Sequence, residues 1–392
     1  MELRELQHHI RMLATLEETS SPVVSCYINL ETNLVDVRHT VESQMRKISK
    51  GLPVNLQPEF DEAFENIEKY LNSQFPSATK GLAIFARGGA WPFWQALQFG
   101  VPLPNWLAVD TTPNIYHLVE LKDTYHRYVV MISTEETARI VEVNLGSVTE
   151  ELWRERPELR QRVGREWSRE HYQSHRRNRT DQFIKEQISV LERLMLAGGH
   201  SHLILAGNPR LTARVRRELP RHLTDKLIDT VVASGSDKLS DVVAATLSSF
   251  IEQEELESRA MVERLQRNIH TGGLAVIGTK ETFKALQRGQ VDMLLVAKNY
   301  HPSGGWKCLF CGEVRVRQPA LNKCPDCNSD ELRSLNLREE MIRLAEQRGC
   351  QVEVVNQSDW LYQVGGVGAL LRYFAPEQYY WRQRSSAAKQ NA

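Results

Sequence analysis

The spacing of hydrophobic positions predicts a first α/β domain over residues 1–122. Apolar residues recur at helical spacing from Leu3 to Leu16, and Val23–Leu30 is a continuous apolar run typical of a buried strand. After a polar helix with one apolar face, Gly81–Phe85 indicates a second buried strand. The proline- and tryptophan-rich stretch from Ala90 to Trp106 is predicted to be mostly loop.

A second domain is predicted over residues 123–255. Two short apolar runs, Tyr128–Ser133 and Ala138–Val143, are spaced as a hairpin. A helix with one apolar face follows a polar stretch, and Gly198-Gly199 is expected to end it. A long helical pattern from Leu239 to about Ile269 then leads into the last part of the chain.

The last domain, predicted over residues 256–381, alternates strand and helix again. A helix is expected over Thr279–Arg288 between two short strands. An insertion containing cysteines interrupts the pattern at about 306–330. Beyond it, the periodicity predicts a helix over Leu337–Gln347 and a strand over Gln351–Val355.

Composition and charge are those of a folded protein without a membrane segment. The chain is 41% hydrophobic and 25% charged, with a formal net charge of zero, so attraction to nucleic acid would have to come from local patches. No apolar run is long enough to cross a membrane, and Met1–Ile10 has no apolar signal core. These features predict a cytoplasmic protein that does not contact membranes. The polar end, 382–392, is expected to be disordered.

Four of the six cysteines have the spacing of a metal site. Cys308-x2-Cys311 is followed after twelve residues by Cys324-x2-Cys327, which is the spacing of a zinc ribbon. Four thiolates would fill the tetrahedral positions around one Zn²⁺ and would leave no open site, so the zinc would be structural. A redox pair or two disulfides are the alternatives. Cys26 and Cys350 lie in apolar runs and are expected to be buried.

A local excess of positive charge runs from Arg154 to Arg179. This stretch holds nine arginines and four glutamates, and arginine offers a planar set of donors that suits phosphate. The alternative is a solvated helix face with ion pairs between residues four apart. The candidate RNA-binding residues are Arg165, Arg169, His175, Arg176, Arg177 and Arg179.

Two segments of the last domain carry a family resemblance. Gly278 precedes a helix with an acidic start and an Ala-Leu pair, and Gly289-Gln290-Val291-Asp292 leads into a Leu-Leu strand. The chain then closes on the glycine-rich Gly365–Gly368. These features, in this order, resemble the last domain of Pelota and of the archaeo-eukaryotic peptide-chain release factors. Weaker likeness covers most of the chain, which is therefore identified as a bacterial member of this superfamily.

The resemblance implies an α/β protein with the three-domain architecture of release factors. The N-terminal domain, 1–122, would face the decoding centre of the ribosome. The central domain, 123–255, would be RNase-H-like, with a basic loop over 154–180 where release factors carry their Gly-Gly-Gln loop. The C-terminal domain, 256–381, would resemble kink-turn-binding proteins, would contact a translational GTPase and would carry the inserted zinc ribbon over 306–330.

The chain departs from release factors at their two functional signatures. Between Val163 and Thr180 the only glycine is Gly164, and Gly198-Gly199 is followed by His200 rather than glutamine. The Asn-Ile-Lys-Ser signature of stop-codon recognition is also missing. Among bacterial members the chain resembles hibernation factors of the Balon type. The resemblance then implies binding to the ribosomal A site, with contacts to 16S and 23S ribosomal RNA and with elongation factor Tu or another translational GTPase as a partner.

The leading interpretation is therefore a ribosome-binding factor without catalytic residues that protects idle ribosomes or marks stalled ones. A ribosome-rescue enzyme that cleaves peptidyl-tRNA is the main alternative, with Gln173, His171 or His175 in acid–base roles. The two histidines are four residues apart, but no third metal ligand accompanies them. The other alternative is an RNA-binding module that acts away from the ribosome.

Overall fold

The computed structural model of the chain describes residues 2–134, 137–155, 169–234, 237–316 and 323–374, without the side chains of Leu34, Glu150 and 153–179. It divides into two compact units. One is Met1–Leu3 with Tyr125–Glu254, and the other is Arg4–Thr124 with Glu255–Ala392. The second unit therefore contains both the predicted N-terminal domain and the predicted C-terminal domain.

The N-terminal part of the second unit is built on a four-stranded antiparallel sheet in the order β3-β2-β1-β4. Its strands are β1 (Val23–Asn29), β2 (Gly81–Arg87), β3 (Phe93–Phe99) and β4 (Trp106–Asp110). The helices of this part are α1 (Leu3–Ala14), α2 (Leu34–Gly51), α3 (Gln57–Leu71) and α4 (Tyr116–Thr124).

Helices α2 and α3 cover one face of this sheet. Alternate residues of β1, among them Cys26, point into the same buried cluster as Met45 of α2 and Phe60 of α3. The prediction that Cys26 is buried is confirmed. Burial raises the pKa of its thiol to about 12, so the side chain behaves as a small hydrophobic residue.

The prediction that Ala90–Trp106 is mostly loop misses one strand. Strand β3 lies inside that range and pairs with β2 along its whole length, from Arg87 opposite Phe93 to Gly81 opposite Phe99. Aromatic residues favour a strand here, and the pairing satisfies backbone groups on the side facing β2. Pro92 precedes the strand, where its missing amide does not interrupt the ladder.

The first unit has a five-stranded sheet in the order β7-β6-β5-β8-β9, with helices on both faces. Strands β5, β6 and β7 are antiparallel neighbours, whereas β8 and β9 run parallel to β5. The strands are β5 (Tyr128–Ser133), β6 (Thr137–Asn144), β7 (Ser147–Glu155), β8 (His202–Gly207) and β9 (Leu227–Val232). The helices are α5 (Arg169–Gly198), α6 (Pro209–Glu218), α7 (Arg221–Thr224) and α8 (Leu239–His270), of which α8 begins in this unit.

The arginine-rich stretch is not all loop. Strand β7 extends to Glu155, and α5 is helical from Arg169, so only 156–168 of the expected loop 154–180 lies outside the described residues. The segment from Arg169 to Thr180 contains no glycine or proline, and therefore nothing in it ends a helix. The helix ends at Gly198, as predicted, and Gly199 follows with a φ of 65°.

The C-terminal part of the second unit has a four-stranded sheet in the order β10-β16-β11-β15 and a separate three-stranded sheet, β13-β12-β14. The strands are β10 (Ala275–Ile277), β11 (Val291–Ala297), β12 (Gly305–Cys308), β13 (Val314–Arg315), β14 (Leu332–Leu335), β15 (Gln351–Val355) and β16 (Val367–Leu371). The helices are α9 (Thr279–Gln287), α10 (Leu337–Gln347) and α11 (Asp359–Gln363).

The two segments that carry the family resemblance are neighbours in this sheet. Ile277, at the end of β10, lies opposite Gly368 of β16, and β16 also pairs with β11. A Cβ atom on Gly365 would lie only 3.3 Å from the Cα of Gly278, and both residues have a positive φ. These two glycines therefore permit a close backbone approach that larger residues would prevent. Among the described helices, none is both long enough and apolar enough to cross a membrane.

Candidate metal centre and the contacts around it

The four paired cysteines come together at one end of the three-stranded sheet. The Sγ atoms of Cys308 and Cys327 are 3.5 Å apart, those of Cys311 and Cys324 are 3.6 Å apart, and all four lie within 4.8 Å of one another. Sulfurs held at about 2.3 Å from a tetrahedral ion would be about 3.8 Å apart, whereas a disulfide bond is about 2.05 Å long. The cluster therefore has the dimensions of a site that could hold a metal ion.

Both Cys-x-x-Cys pairs fold into the same kind of turn. The amide of Cys308 donates to the carbonyl of Glu313 at 2.9 Å, and the amide of Gly312 donates back to the Cys308 carbonyl at 3.0 Å. The second turn repeats this arrangement. The amide of Cys324 donates to the carbonyl of Ser329 at 2.7 Å, and the amide of Asn328 donates to the Cys324 carbonyl at 2.8 Å. Gly312 and Asn328 each have a positive φ, which these two residue types tolerate best.

The first turn also prepares a sulfur for metal binding. The amide of Cys311 donates a hydrogen bond to the sulfur of Cys308 and lowers the pKa of that thiol to about 7, against the opposing effect of burial. The thiolate is the form that binds metal. Residues 317–322, which link the two turns, lie outside the described residues.

Glu18 attaches the cysteine-bearing sheet to the N-terminal part of the same unit. Its carboxylate pairs with Lys307 on β12 and with Arg333 on β14, and it accepts a 2.8 Å hydrogen bond from the hydroxyl of Thr111. Burial of the carboxyl would raise its pKa, but the hydrogen bonds from these three groups lower it to about 2. The carboxylate is therefore charged at neutral pH, and one acidic residue bridges two strands of the ribbon.

A second set of contacts joins α10 to the start of α4. One carboxylate oxygen of Glu339 accepts hydrogen bonds from the amides of Ile115, at 3.0 Å, and Tyr116, at 3.1 Å. The guanidinium of Arg338 lies 4.1 Å from the centre of the Tyr116 ring. These amides have no partner within their own helix, so the carboxylate caps α4 from a distant part of the chain.

The rest of α4 is held to the C-terminal part by charged side chains. Lys122 forms an ion pair with Glu346 of α10. Glu120 forms a second ion pair, of 2.9 Å, with Lys298, which follows β11. At the end of the helix, Asp123 accepts a 2.7 Å hydrogen bond from the amide of Val354 in β15. Partly buried pairs of this kind are screened by salt less than exposed ones.

Two family models match this chain, and together they cover 258 of its 392 residues. The model described as bacterial archaeo-eukaryotic release factor family 10 matches residues 113–250, and the model described as eRF1 domain 3 matches residues 256–375. The second match includes both glycine segments of the C-terminal sheet and the cysteine cluster. The chain belongs to the superfamily of archaeo-eukaryotic release factors and Pelota. The predicted membership is thereby confirmed.

Members of this superfamily match over nearly the full length of the chain. Peptide chain release factor subunit 1 of Thermococcus kodakarensis is 24% identical and that of Pyrococcus abyssi 25%, each over 95% of this chain and 98% of the relative. Among solved structures, an archaeal translation termination factor matches at 18% identity with a TM-score of 0.28, over 95% of this chain and 99% of the other. Archaeoglobus fulgidus Pelota matches at 13% identity with a TM-score of 0.36, over 95% and 93%.

The helices and sheets that the structure describes agree with the predicted α/β fold class. The assignment of an RNase-H-like central domain and a kink-turn-binding-protein-like C-terminal domain stays a prediction. The candidate RNA-binding residues also stay predictions. Arg165 lies outside the described residues; the others are part of α5, of which the structure describes only the backbone at these positions.

The sequence predicts the four cysteines but not the residues around them. Glu18 and Glu339 each act on a segment far away in the chain, and no local pattern identifies such a partner. A partial signal exists for Glu339, because Asn336-x-x-Glu339 has the spacing of a helix capping box. Asn336 does cap α10, accepting from the Glu339 amide at 3.4 Å. The Glu339 carboxylate, however, bonds to the start of α4.

Proposed function

We propose that this chain is a ribosome-binding translation factor that occupies the A site of idle or stalled ribosomes, as a hibernation factor, and does not hydrolyse peptidyl-tRNA. Its membership of the release factor and Pelota superfamily supports the ribosome as the partner. The binding surface would include 16S and 23S ribosomal RNA. Elongation factor Tu or another translational GTPase would contact the C-terminal part, in line with the family resemblance.

The proposed lack of peptidyl-tRNA hydrolysis rests on the position of the Gly-Gly pair in the first unit and on the residue that follows it. Release factors present Gly-Gly-Gln on a loop, but here Gly198-Gly199 ends α5 and is followed by His200. The side chain of His200 is buried, with its Nε2 atom 3.0 Å from a carboxylate oxygen of Glu142. This pair therefore terminates a helix, and the residue that follows it is held in the fold.

The sequence offers no replacement elsewhere. Four further Gly-Gly pairs begin at Gly88, Gly272, Gly304 and Gly365, and none is followed by glutamine. Without a Gly-Gly-Gln sequence, the chain lacks the group by which release factors help to position the attacking water.

We also assign the metal as zinc. Four cysteine thiolates at tetrahedral spacing suit Zn²⁺, and with all four positions filled by sulfur no site is left for water or substrate. Cys308, Cys311, Cys324 and Cys327 would hold the ion. Its role would be to hold the ends of the ribbon strands together, because among the described residues of the ribbon the buried cluster contains only Trp306 and two of the cysteines.

Co-sedimentation with purified ribosomes tests the proposal. The protein should sediment with vacant ribosomes and with ribosomes that hold only a P-site transfer RNA, because both leave the A site open. Ribosomes whose A site already holds a transfer RNA should not bind it. Equal binding to A-site-filled ribosomes, or none to vacant ones, would contradict A-site occupancy.

A further inference from the structure

Helix α6 carries an unusual concentration of arginine on its outer side. Four of its ten residues are arginine, and its only acidic residue is Glu218, at the last position. Arg210, Arg216 and Arg217 are exposed. None of these three is in an ion pair with any of the residues that the structure describes. The fourth, Arg214, pairs with Asp181 of α5 at 2.5 Å.

The opposite side of α6 fixes this face in place. Leu211 and Val215 are buried in the core between the sheet and helices α5 to α7. The helix begins at a defined point, since the side chain of Asn208 accepts from the Arg210 amide and Pro209 occupies the first turn. The arginines are therefore presented from a rigid element, and Arg210 and Arg217 are about 10 Å apart along its axis.

The arrangement is unfavourable for an ordinary solvated helix. Arg210 and Arg214 are four residues apart, and Arg214 and Arg217 three apart, which places like charges side by side. Arg210 also lies in the first turn, where the helix dipole disfavours a positive charge. Exposed faces usually alternate acidic and basic residues. The arginines Arg259, Arg264 and Arg267 of α8 are an example, because Glu255 and Glu263 lie four residues from Arg259 and Glu263 lies four from Arg267.

We infer that this surface, defined by Arg210, Arg216 and Arg217 of α6, binds the phosphodiester backbone of RNA. All its cations are arginines, whose planar guanidinium suits bidentate contact with phosphate better than an ammonium does. Ala213 lies between Arg210 and Arg217 on the outer side and is also exposed, so no long side chain at the centre keeps a strand away. The choice of RNA over another polyanion rests on the proposed function, in which the ribosome is the partner.

The test compares three variants of the full chain with wild type, on purified ribosomes, on a short RNA hairpin and on polyglutamate. Changing Arg210, Arg216 and Arg217 together to alanine removes the surface. The same arginines changed to lysine keep the charge but lose the planar donors. Arg259, Arg264 and Arg267 changed to alanine remove the same number of charges from α8.

Binding is measured across a salt titration. The α6 alanine variant should bind RNA more weakly, and its slope of log affinity against log salt should be shallower by about 2 to 3, since each lost phosphate contact removes about 0.7 to 0.9. The lysine variant should keep the slope and lose affinity. The α8 variant should match wild type. Melting temperature should not fall in the α6 alanine variant, because like-charge repulsion is removed and alanine favours helix.

The possible outcomes separate the inference about α6 from the proposed function. If the α6 alanine variant matches wild type on both RNAs, the inference is wrong, while ribosome binding by wild type would leave the proposed function intact. If wild type binds the hairpin through α6 but does not bind ribosomes, the inference stands and the proposed function fails. If the variant loses binding only to polyglutamate, offered as an acidic polypeptide, the surface binds protein and the inference is wrong.

Discussion

The guanidinium of Arg338 lies over the ring of Tyr116, 4.1 Å from its centre, although the two residues are 222 positions apart in the sequence. The next residue, Glu339, is buried, and its carboxylate accepts a hydrogen bond from the amide of Tyr116, 223 residues earlier in the sequence. Burial raises the pKa of Glu339 to about 7, although Arg338 and the amides of Tyr116 and Ile115 oppose the rise. The contact between α10 and α4 is therefore sensitive to protonation near neutral pH.

Protonation of Glu339 should make the protein more stable in mild acid. Its pKa in the folded state, about 7, is above the ordinary value of 4.5. Between these two values the folded state binds more protons than the unfolded state, so this group's contribution to stability declines as pH rises from about 4.5 to 7 and is constant above that. Glu339→Gln stays neutral and keeps an acceptor oxygen. Its melting temperature should therefore rise relative to wild type as pH increases from about 5 to 8.

One result would contradict this prediction. A constant difference in melting temperature between wild type and Glu339→Gln across the pH range would show that the carboxyl does not titrate there. Glu339→Ala provides the matched control, because it leaves both amides without an acceptor. Neither variant titrates at this position, so Glu339→Ala should have a free energy of unfolding about 1 to 3 kcal/mol below that of Glu339→Gln at every pH in the range.

Purified protein should contain about one Zn²⁺ per chain. Cys308→Ser should lose the metal and loosen the ribbon, because one of four ligands is gone. The four-stranded sheet β10-β16-β11-β15 should stay folded, because its pairing does not involve the ribbon strands. Metal analysis by mass spectrometry measures the zinc, and Cys350→Ala, outside the cluster, should retain it. Freshly purified, reduced protein without zinc would refute the assignment.

The protein should not accelerate peptide release. With ribosomes that carry labelled peptidyl-tRNA in the P site, release should stay at the factor-free background, with or without a stop codon in the A site. The reason is the missing Gly-Gly-Gln. An authentic release factor is the positive control. Release well above background that disappears with Gln173→Ala or His175→Ala would favour the rescue-enzyme alternative.

The arginine-rich start of α5 should contribute to ribosome binding. Replacing Arg176, Arg177 and Arg179 together with alanine should weaken binding and flatten its salt dependence, because three cationic contacts to phosphate would be lost. Folding should change little, since exposed ion pairs are each worth less than about 1 kcal/mol. Salt titrations of the wild type and the triple variant provide the comparison. Identical curves would mean that these residues form a solvated helix face.

Local signals explain which parts of the fold the sequence predicts. The predicted helix Leu337–Gln347 and strand Gln351–Val355 agree with the structure residue for residue. Here Asn336 caps the start of the helix, and Gly349, with a φ of 65°, follows its end. The cysteine cluster is predicted for a similar reason, because each Cys-x-x-Cys pair shapes its own turn.

Features that depend on distant partners are missed. Strand β3 is an edge strand whose burial is only partial, and its composition resembles that of a loop until β2 is placed beside it. The bridge from Glu18 to Lys307 and Arg333 connects residues that are 289 and 315 positions apart. Nothing in the sequence around Glu18 distinguishes it from an ordinary surface glutamate.

The composition of the second unit also sets an order of events during synthesis. Arg4–Thr124 packs with a segment that begins at Glu255, so α4 leaves the translating ribosome 223 residues before Glu339 can cap it. At about 5 to 20 residues per second, that wait lasts roughly 10 to 45 s. The intervening unit has its own sheet and can fold meanwhile. Nascent chains halted before α10 should therefore be cut by protease near Tyr116 more readily than the finished protein. In these chains α4 has been synthesised, but the α10 carboxylate that caps it has not.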